Sequence, residues 1–303
     1  MVFLVTGGAG FIGSNLAKHL EGDVVVVDNL SEGHRENVPK NVEFIHHDLR
    51  DASFVQDLFN EHDFTHVYHL AAHFANQKSV EDPFMDLSVN GETTLRLLEL
   101  SRKRDVQKFV YSSSSCVYGA AKPPMREDLR PQPETPYGIT KLLGEYYTQY
   151  FHDYYGLNTT SVRYFNVYGP GEYPGPYRNV IPKFFQAAMQ KKPLTITGTG
   201  EETRDFTFVD DAVQATLLCA EKTSGQVVNI GNGQPTPIKS LAEKINEITN
   251  NPSPIQFTPR RDWDHIAHRL ADVSKLKSLG VEPQTSLDDG LKKTHAWLKT
   301  VVS

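Results

Sequence analysis

A strand-like run, Val2-Phe3-Leu4-Val5-Thr6, leads directly into Gly7-Gly8-Ala9-Gly10-Phe11-Ile12-Gly13, and a helical pattern follows. Strand, glycine turn and helix in this order form the place where a dinucleotide pyrophosphate sits in α/β chains. A side chain at Gly7 or Gly10 would hold the backbone away from the phosphates, and Gly13 lets the helix lie close to the strand. The helix start then turns unpaired N–H groups toward the anion. A second strand, Val24-Val25-Val26-Val27, ends in Asp28, roughly 20 residues on, where an acid accepts the ribose hydroxyls.

With 303 residues the chain can bury a large core in two lobes. Its net charge is −6 and no dense basic run occurs, so nucleic acid and anionic membranes are not expected partners. The N-terminal apolar stretch is short and merges into the glycine turn, so it reads as a core strand and not a signal peptide. No apolar run approaches membrane-spanning length. Cys116 and Cys219 alone cannot form a disulfide framework or a thiolate zinc site, and a cytoplasmic location is expected. His66, His69 and His73 are closely spaced, but they lie on a strand leaving into a loop. Alternate residues there face opposite sides and would not converge on one ion, so no metal is expected.

Apolar runs recur at Val2–Thr6, Val24–Asp28, Val42–His46, His66–Leu70, Lys108–Ser112 and Thr160–Tyr164, separated by amphipathic stretches at Ser14–Leu20, Val55–Asn60, Gly91–Arg104 and Gly138–Tyr154. The alternation predicts an α/β Rossmann domain over residues 1–165, a doubly wound parallel sheet with helices on both faces. The Pro- and Gly-rich segment 169–176 marks a change to a smaller α/β substrate-binding lobe, 166–303, from which about 205–231 is expected to return to the first domain. Its expected elements are helices at Ile181–Gln190, Val209–Glu221, Ile238–Thr249, Ser274–Leu279 and Leu287–Leu298, and strands at Leu194–Thr197 and Val227–Ile230. Ligands of open α/β sheets bind beyond the carboxyl ends of the strands, which puts the site between the lobes.

Tyr137 and Lys141 follow Thr135-Pro136 and share one helical face. An ammonium beside a phenol favours the phenolate and predicts a lowered Tyr137 pKa, useful to a general base. Ser112-Ser113-Ser114-Ser115 closes an upstream strand, where a hydroxyl can hydrogen-bond the oxygen that the tyrosine deprotonates. With these residues the chain resembles an extended short-chain dehydrogenase/reductase, specifically an NAD-dependent sugar-nucleotide epimerase of the UDP-glucose 4-epimerase type. The resemblance runs nearly end to end. It also rests on Asp28-Asn29-Leu30-Ser31, Asp48-Leu49, His69-Leu70-Ala71-Ala72, Asn90, Arg163 to Pro170, Thr203 to Asp211 and Asn229-Ile230-Gly231.

The resemblance implies Ser114, Tyr137 and Lys141 as catalytic residues. It implies NAD held by Gly7, Gly10, Phe11, Ile12, Gly13, Asp28, Asn29, Ser31, Asp48, Leu49, Leu70, Ala71, Ala72, Asn90, Ser112, Tyr137, Lys141 and Tyr164. For the sugar nucleotide it implies Ser114, Tyr137, Asn166, Asn179, Val180, Thr195, Arg204, Arg261 and Asp264. The reaction implied is inversion at C4 of a nucleoside-diphosphate hexose, UDP-glucose or UDP-galactose, through a 4-keto intermediate. The related 4,6-dehydratases carry an Asp-Glu pair where this chain has Ser115-Cys116, and the decarboxylases a Glu at the position of Cys116, which favours epimerase. Another epimerase specificity, a dehydratase or a ketoreductase is the alternative. Cys116 reads as a small buried residue with nothing nearby to activate its thiol. Arg269 falls near where the family gates the sugar 2-substituent. The helices at Gly91–Arg104 and Gly138–Tyr154 carry long apolar faces, and their equivalents in the family build a homodimer.

Overall fold

The computed structural model describes residues 1–74, 76–177, 179–260 and 266–302. The chain begins β1 (Val2–Thr6), α1 (Phe11–Ala17), β2 (Asp23–Asp28), β3 (Glu43–His46), α2 (Ala52–Glu61), β4 (His66–His69), α3 (Asn76–Glu81) and α4 (Pro83–Asp86). A π-helical turn at Leu87–Glu92 leads into α5 (Thr93–Lys103), followed by β5 (Lys108–Ser114), α6 (Pro136–Tyr155), β6 (Thr159–Tyr164) and β7 (Asn166–Tyr168). The remainder is α7 (Val180–Met189), β8 (Leu194–Thr197), β9 (Thr203–Phe208), α8 (Val209–Lys222), β10 (Gln226–Ile230), β11 (Pro235–Pro237), α9 (Ile238–Thr249), β12 (Ile255–Thr258), α10 (Ser274–Ser278) and α11 (Leu287–Val301).

Seven strands form one parallel sheet in the order β10-β6-β5-β4-β1-β2-β3. β1 and β2 carry continuous apolar runs, Val2–Val5 and Val24–Val27, because both faces of the sheet are covered there. Phe3, Val5, Val24 and Val26 belong to the core on one face, while Leu4, Val25 and Val27 belong to the core on the other. The direction of winding reverses between β1 and β4, and the carboxyl ends of all these strands share one edge, where a crevice opens. β7, β9 and β11 make a small mixed sheet, and β8 pairs with β12 in parallel. Within the stretch expected to return to the first domain, β10 joins the seven-stranded sheet beside β6, whereas β9 pairs in the small one.

Element boundaries differ from expectation in three informative places. α1 starts directly after Gly10, whose carbonyl accepts the Ser14 N–H (3.0 Å), and so takes in Gly13, where the close approach of the Gly7 backbone leaves no room for a side chain. The helix expected from Gly91 begins with the π-helical turn, which carries Asn90. β5 continues to Ser114 because Ser113 and Ser114 pair with Arg163 and Tyr164 of β6, a tertiary contact that overrides the weak strand preference of serine.

Candidate active site

A cavity of about 630 Å³ occupies the carboxyl edge of the sheet. Its floor at one end is the glycine turn. Gly7 sits at φ +68°, and a Cβ there would stand 2.6 Å from the Ala71 amide nitrogen, so β1 and β4 can deliver their ends side by side only with glycine at that position. A Cβ on Gly13 would meet the Gly7 carbonyl at 2.4 Å, which is the close helix approach expected. Asp28, at the end of β2, accepts the Ala9 N–H (3.0 Å) and the Leu30 N–H (2.8 Å), tying the turn to the next loop. Asn29 donates to Asp48 (3.1 Å), which Arg50 also grips (2.8 Å), holding the Asp48 carboxyl down at about 2. Turn, acids and polar loop together give the shape and donor set a dinucleotide requires.

The other end of the cavity is built by β5 and α6. Thr135 caps α6 by accepting the Gly138 N–H (3.2 Å), and Pro136 occupies its first turn. Tyr137 and Lys141 therefore face the sheet one turn apart, both buried. The Lys141 ammonium donates to the Ser112 carbonyl (2.8 Å) and lies 5.8 Å from the Tyr137 ring centre. Burial brings Lys141 down to about 8, opposed by the Asp86 carboxylate. Ser114, the last residue of β5, accepts the Cys116 N–H (3.2 Å) and sits within hydrogen-bonding reach of the Tyr137 hydroxyl. The expected lowering of the Tyr137 pKa is not what the protein alone produces. Burial pushes the phenol well above its ordinary value, the negative charges of Cys116 and Asp86 act in the same direction, and only the hydrogen bond to Ser114 pulls the other way.

Most residues singled out in the sequence line this one cavity. Gly7, Gly10, Phe11, Ile12, Gly13, Asp28, Asn29, Ser31, Asp48, Leu49, Leu70, Ala71, Ala72, Ser112, Ser114, Tyr137, Lys141, Tyr164, Asn166, Asn179 and Arg204 all do so. Asn90, Val180 and Thr195 do not. Asn90 instead accepts the His73 N–H (2.8 Å) and donates to Asp86 (3.0 Å) and Thr140 (3.2 Å), bracing the wall behind α6. Val180 begins α7, and Thr195 is exposed on β8. Arg261 and Asp264 lie outside the described residues.

Sequence reading missed other lining residues. Phe74 meets the Tyr137 ring edge-on at 6.0 Å, from a loop with no motif to announce it. Cys116 needs correction: the Arg269 guanidinium lies 3.1 Å from its Sγ and pulls the thiol below its ordinary value although burial acts in the opposite direction. The two residues are 153 positions apart, a distance over which no local pattern operates. His69 is buried between Thr6 (2.7 Å) and Thr94 (2.9 Å), a packed core histidine. Among the described residues no group of three or more His, Cys, Asp or Glu side chains is placed to hold a metal ion.

Comparison with known proteins agrees with this geometry. The model of the NAD dependent epimerase/dehydratase family matches residues 3–231. A UDP-glucose 4-epimerase of Mycolicibacterium smegmatis is 36% identical, with 96% of each chain covered. A UDP-N-acetyl-alpha-D-glucosaminuronate decarboxylase of Bacillus cytotoxicus is 35% identical over 98% of each chain. The crystal structure of the UDP-glucose 4-epimerase of Thermotoga maritima with UDP-glucose superposes with a TM-score of 0.97 at 38% identity, covering 100% of both chains.

Proposed function

The chain belongs to the NAD dependent epimerase/dehydratase family, and on that premise we propose that it inverts C4 of a nucleoside-diphosphate sugar of the glucose and galactose series, with UDP-glucose and UDP-galactose as the simplest pair. The observation that carries this reading is the convergence of Ser114, Tyr137 and Lys141 on one wall of the cavity, beside Ser115 and Cys116 in place of any carboxyl pair.

NAD, when bound, supplies the hydride acceptor and donor for C4 and brings the positive charge of its oxidised nicotinamide next to the phenol. Gly7, Gly10 and Gly13 would receive its pyrophosphate and Asp28 its adenosine ribose. Tyr137 takes the proton of the sugar 4-hydroxyl as general base, and Ser114 hydrogen-bonds the same oxygen. Lys141, fixed by the Ser112 carbonyl, keeps a cation near the phenol. Asn166, Asn179 and Arg204 would hold the nucleoside diphosphate, and that remote binding energy retains the 4-keto intermediate while it presents its other face. Dehydration would need an acid and a base that Ser115 and Cys116 do not offer.

A homodimer is part of the proposal. Phe84 on α4, with Ile139, Tyr146 and Tyr154 along α6, leaves an apolar face at the surface, with Phe84 83% exposed, the kind of patch that marks an interface. A cytoplasmic location is supported by two free cysteines, and among the described residues no helix is long and apolar enough to cross a membrane.

The test is incubation with UDP-glucose without added coenzyme, followed by NMR of the products. UDP-galactose is expected. A 4-keto-6-deoxy sugar, or a requirement for stoichiometric NADH, would overturn the epimerase reading.

A further inference from the structure

Arg269 is buried, 7% exposed, yet it lines the reaction cavity. Its guanidinium contacts the Ser115 hydroxyl (3.2 Å) and the Cys116 sulfur (3.1 Å), and among the described residues no carboxylate pairs with it. The other arginines of the cavity are differently placed. Arg50 is paired with Asp48, and Arg204 donates to the carbonyls of Thr203, Ala267 and Ile266. A desolvated guanidinium without an anion is costly, and it becomes favourable when a ligand supplies the charge.

The mount is rigid. The Arg269 N–H donates to the Thr203 carbonyl (3.1 Å), the Met125 N–H donates to the Leu270 carbonyl (2.8 Å) while the Met125 carbonyl accepts the Asp272 N–H (2.9 Å), and the Ala271 N–H donates to buried Asp205 (3.1 Å). Ser115 and Cys116 directly follow Ser114, the residue assigned to the sugar 4-oxygen. With Ser114 assigned to the sugar 4-oxygen, Arg269 would face the C4 side of the sugar, and not the 2-substituent that the resemblance implies for its position. Of the carbons next to C4, only C5 carries a further carbon, C6, and a carboxylate there presents the planar pair of oxygens that a guanidinium binds best.

We propose that Arg269 is a specificity-determining residue that binds a C6 carboxylate, so that the preferred substrate is a UDP-hexuronate and not the neutral hexose. This rests on the C4 epimerase reading and refines its sugar.

The test compares UDP-glucuronate, UDP-glucose and UDP-N-acetylglucosamine as substrates of the holoenzyme and of Arg269→Gln and Arg269→Lys. The wild type is expected to convert UDP-glucuronate to UDP-galacturonate with kcat/KM at least about tenfold above UDP-glucose. Arg269→Gln keeps a polar side chain without charge and should reduce that preference by about tenfold, to near parity, chiefly through KM, with partial recovery in Arg269→Lys. Equal losses on charged and neutral sugars would show a merely structural role and overturn the proposal. Conversion of UDP-glucose but not UDP-glucuronate overturns it while leaving the epimerase reading intact. Release of CO2 by cleavage of the C5–C6 bond, leaving a UDP-pentose, would support the carboxylate site and overturn the epimerase reading.

Discussion

Arg163 on β6 grips Glu145 on α6 through two parallel hydrogen bonds of 2.8 and 2.7 Å, with both side chains 4% exposed. Glu145 also accepts from Ser113, so one carboxylate fastens the helix carrying Tyr137 and Lys141 to the strand carrying Ser114. Glu145→Ala leaves a buried guanidinium unpaired and should cost about 3–5 kcal/mol in urea unfolding. The double variant Glu145→Leu with Arg163→Met should recover part of that loss; no recovery would mean the pair is not what holds α6.

Asp28 makes the cofactor prediction. Its carboxylate lines the cavity, is 8% exposed, and is followed by Asn29, Leu30 and Ser31, with no arginine to neutralise a second phosphate. Arg35 is engaged over the Phe44 ring at 4.6 Å. Nucleotide released by denaturing the purified protein should therefore be NAD or NADH. Recovery of mainly NADP would remove Asp28 from the ribose site.

Tyr137→Phe should lower turnover by at least about 10²-fold while changing sugar-nucleotide affinity little, the scale expected for loss of a general base. Because burial pushes the phenol upward, wild-type turnover should climb as pH rises through the neutral range. That climb should vanish in the variant. A variant with near wild-type turnover would show that another group takes the proton.

His69 predicts the acid side of stability. Burial brings it down to about 3, against an ordinary value of 6.5. An unfolded chain binds a proton there between pH 6.5 and 3 that the folded chain refuses, so stability is complete above 6.5 and falls as the pH drops through that window. His69→Gln keeps polar atoms toward Thr6 and Thr94 without a titrating ring. Urea midpoints measured at pH 7 and 4.5 should differ less in the variant, and an unchanged difference would place the acid sensitivity elsewhere.

Much of the cavity was legible because its signals are local. A glycine needed at φ +68°, an acid at the end of the next strand, and a tyrosine and lysine one helical turn apart are all determined within a few residues, and parallel strands then bring their carboxyl ends together. The α9 boundaries, Ile238–Thr249, agree with the sequence pattern for the same reason: a well-marked apolar face needs no distant partner to define it. Three things only the tertiary structure decided. Asn90 turned from the cavity because Asp86, Thr140 and His73, brought close by a π-helical turn, take its hydrogen bonds. The Tyr137 phenol is raised because how far a group is desolvated is a property of everything packed around it. Arg269 reaches Cys116 because residues 266–271 are bonded across to Thr203 and Met125. Sequence patterns record which groups a backbone segment must carry; charge in a buried site depends on segments that meet only when the chain has folded.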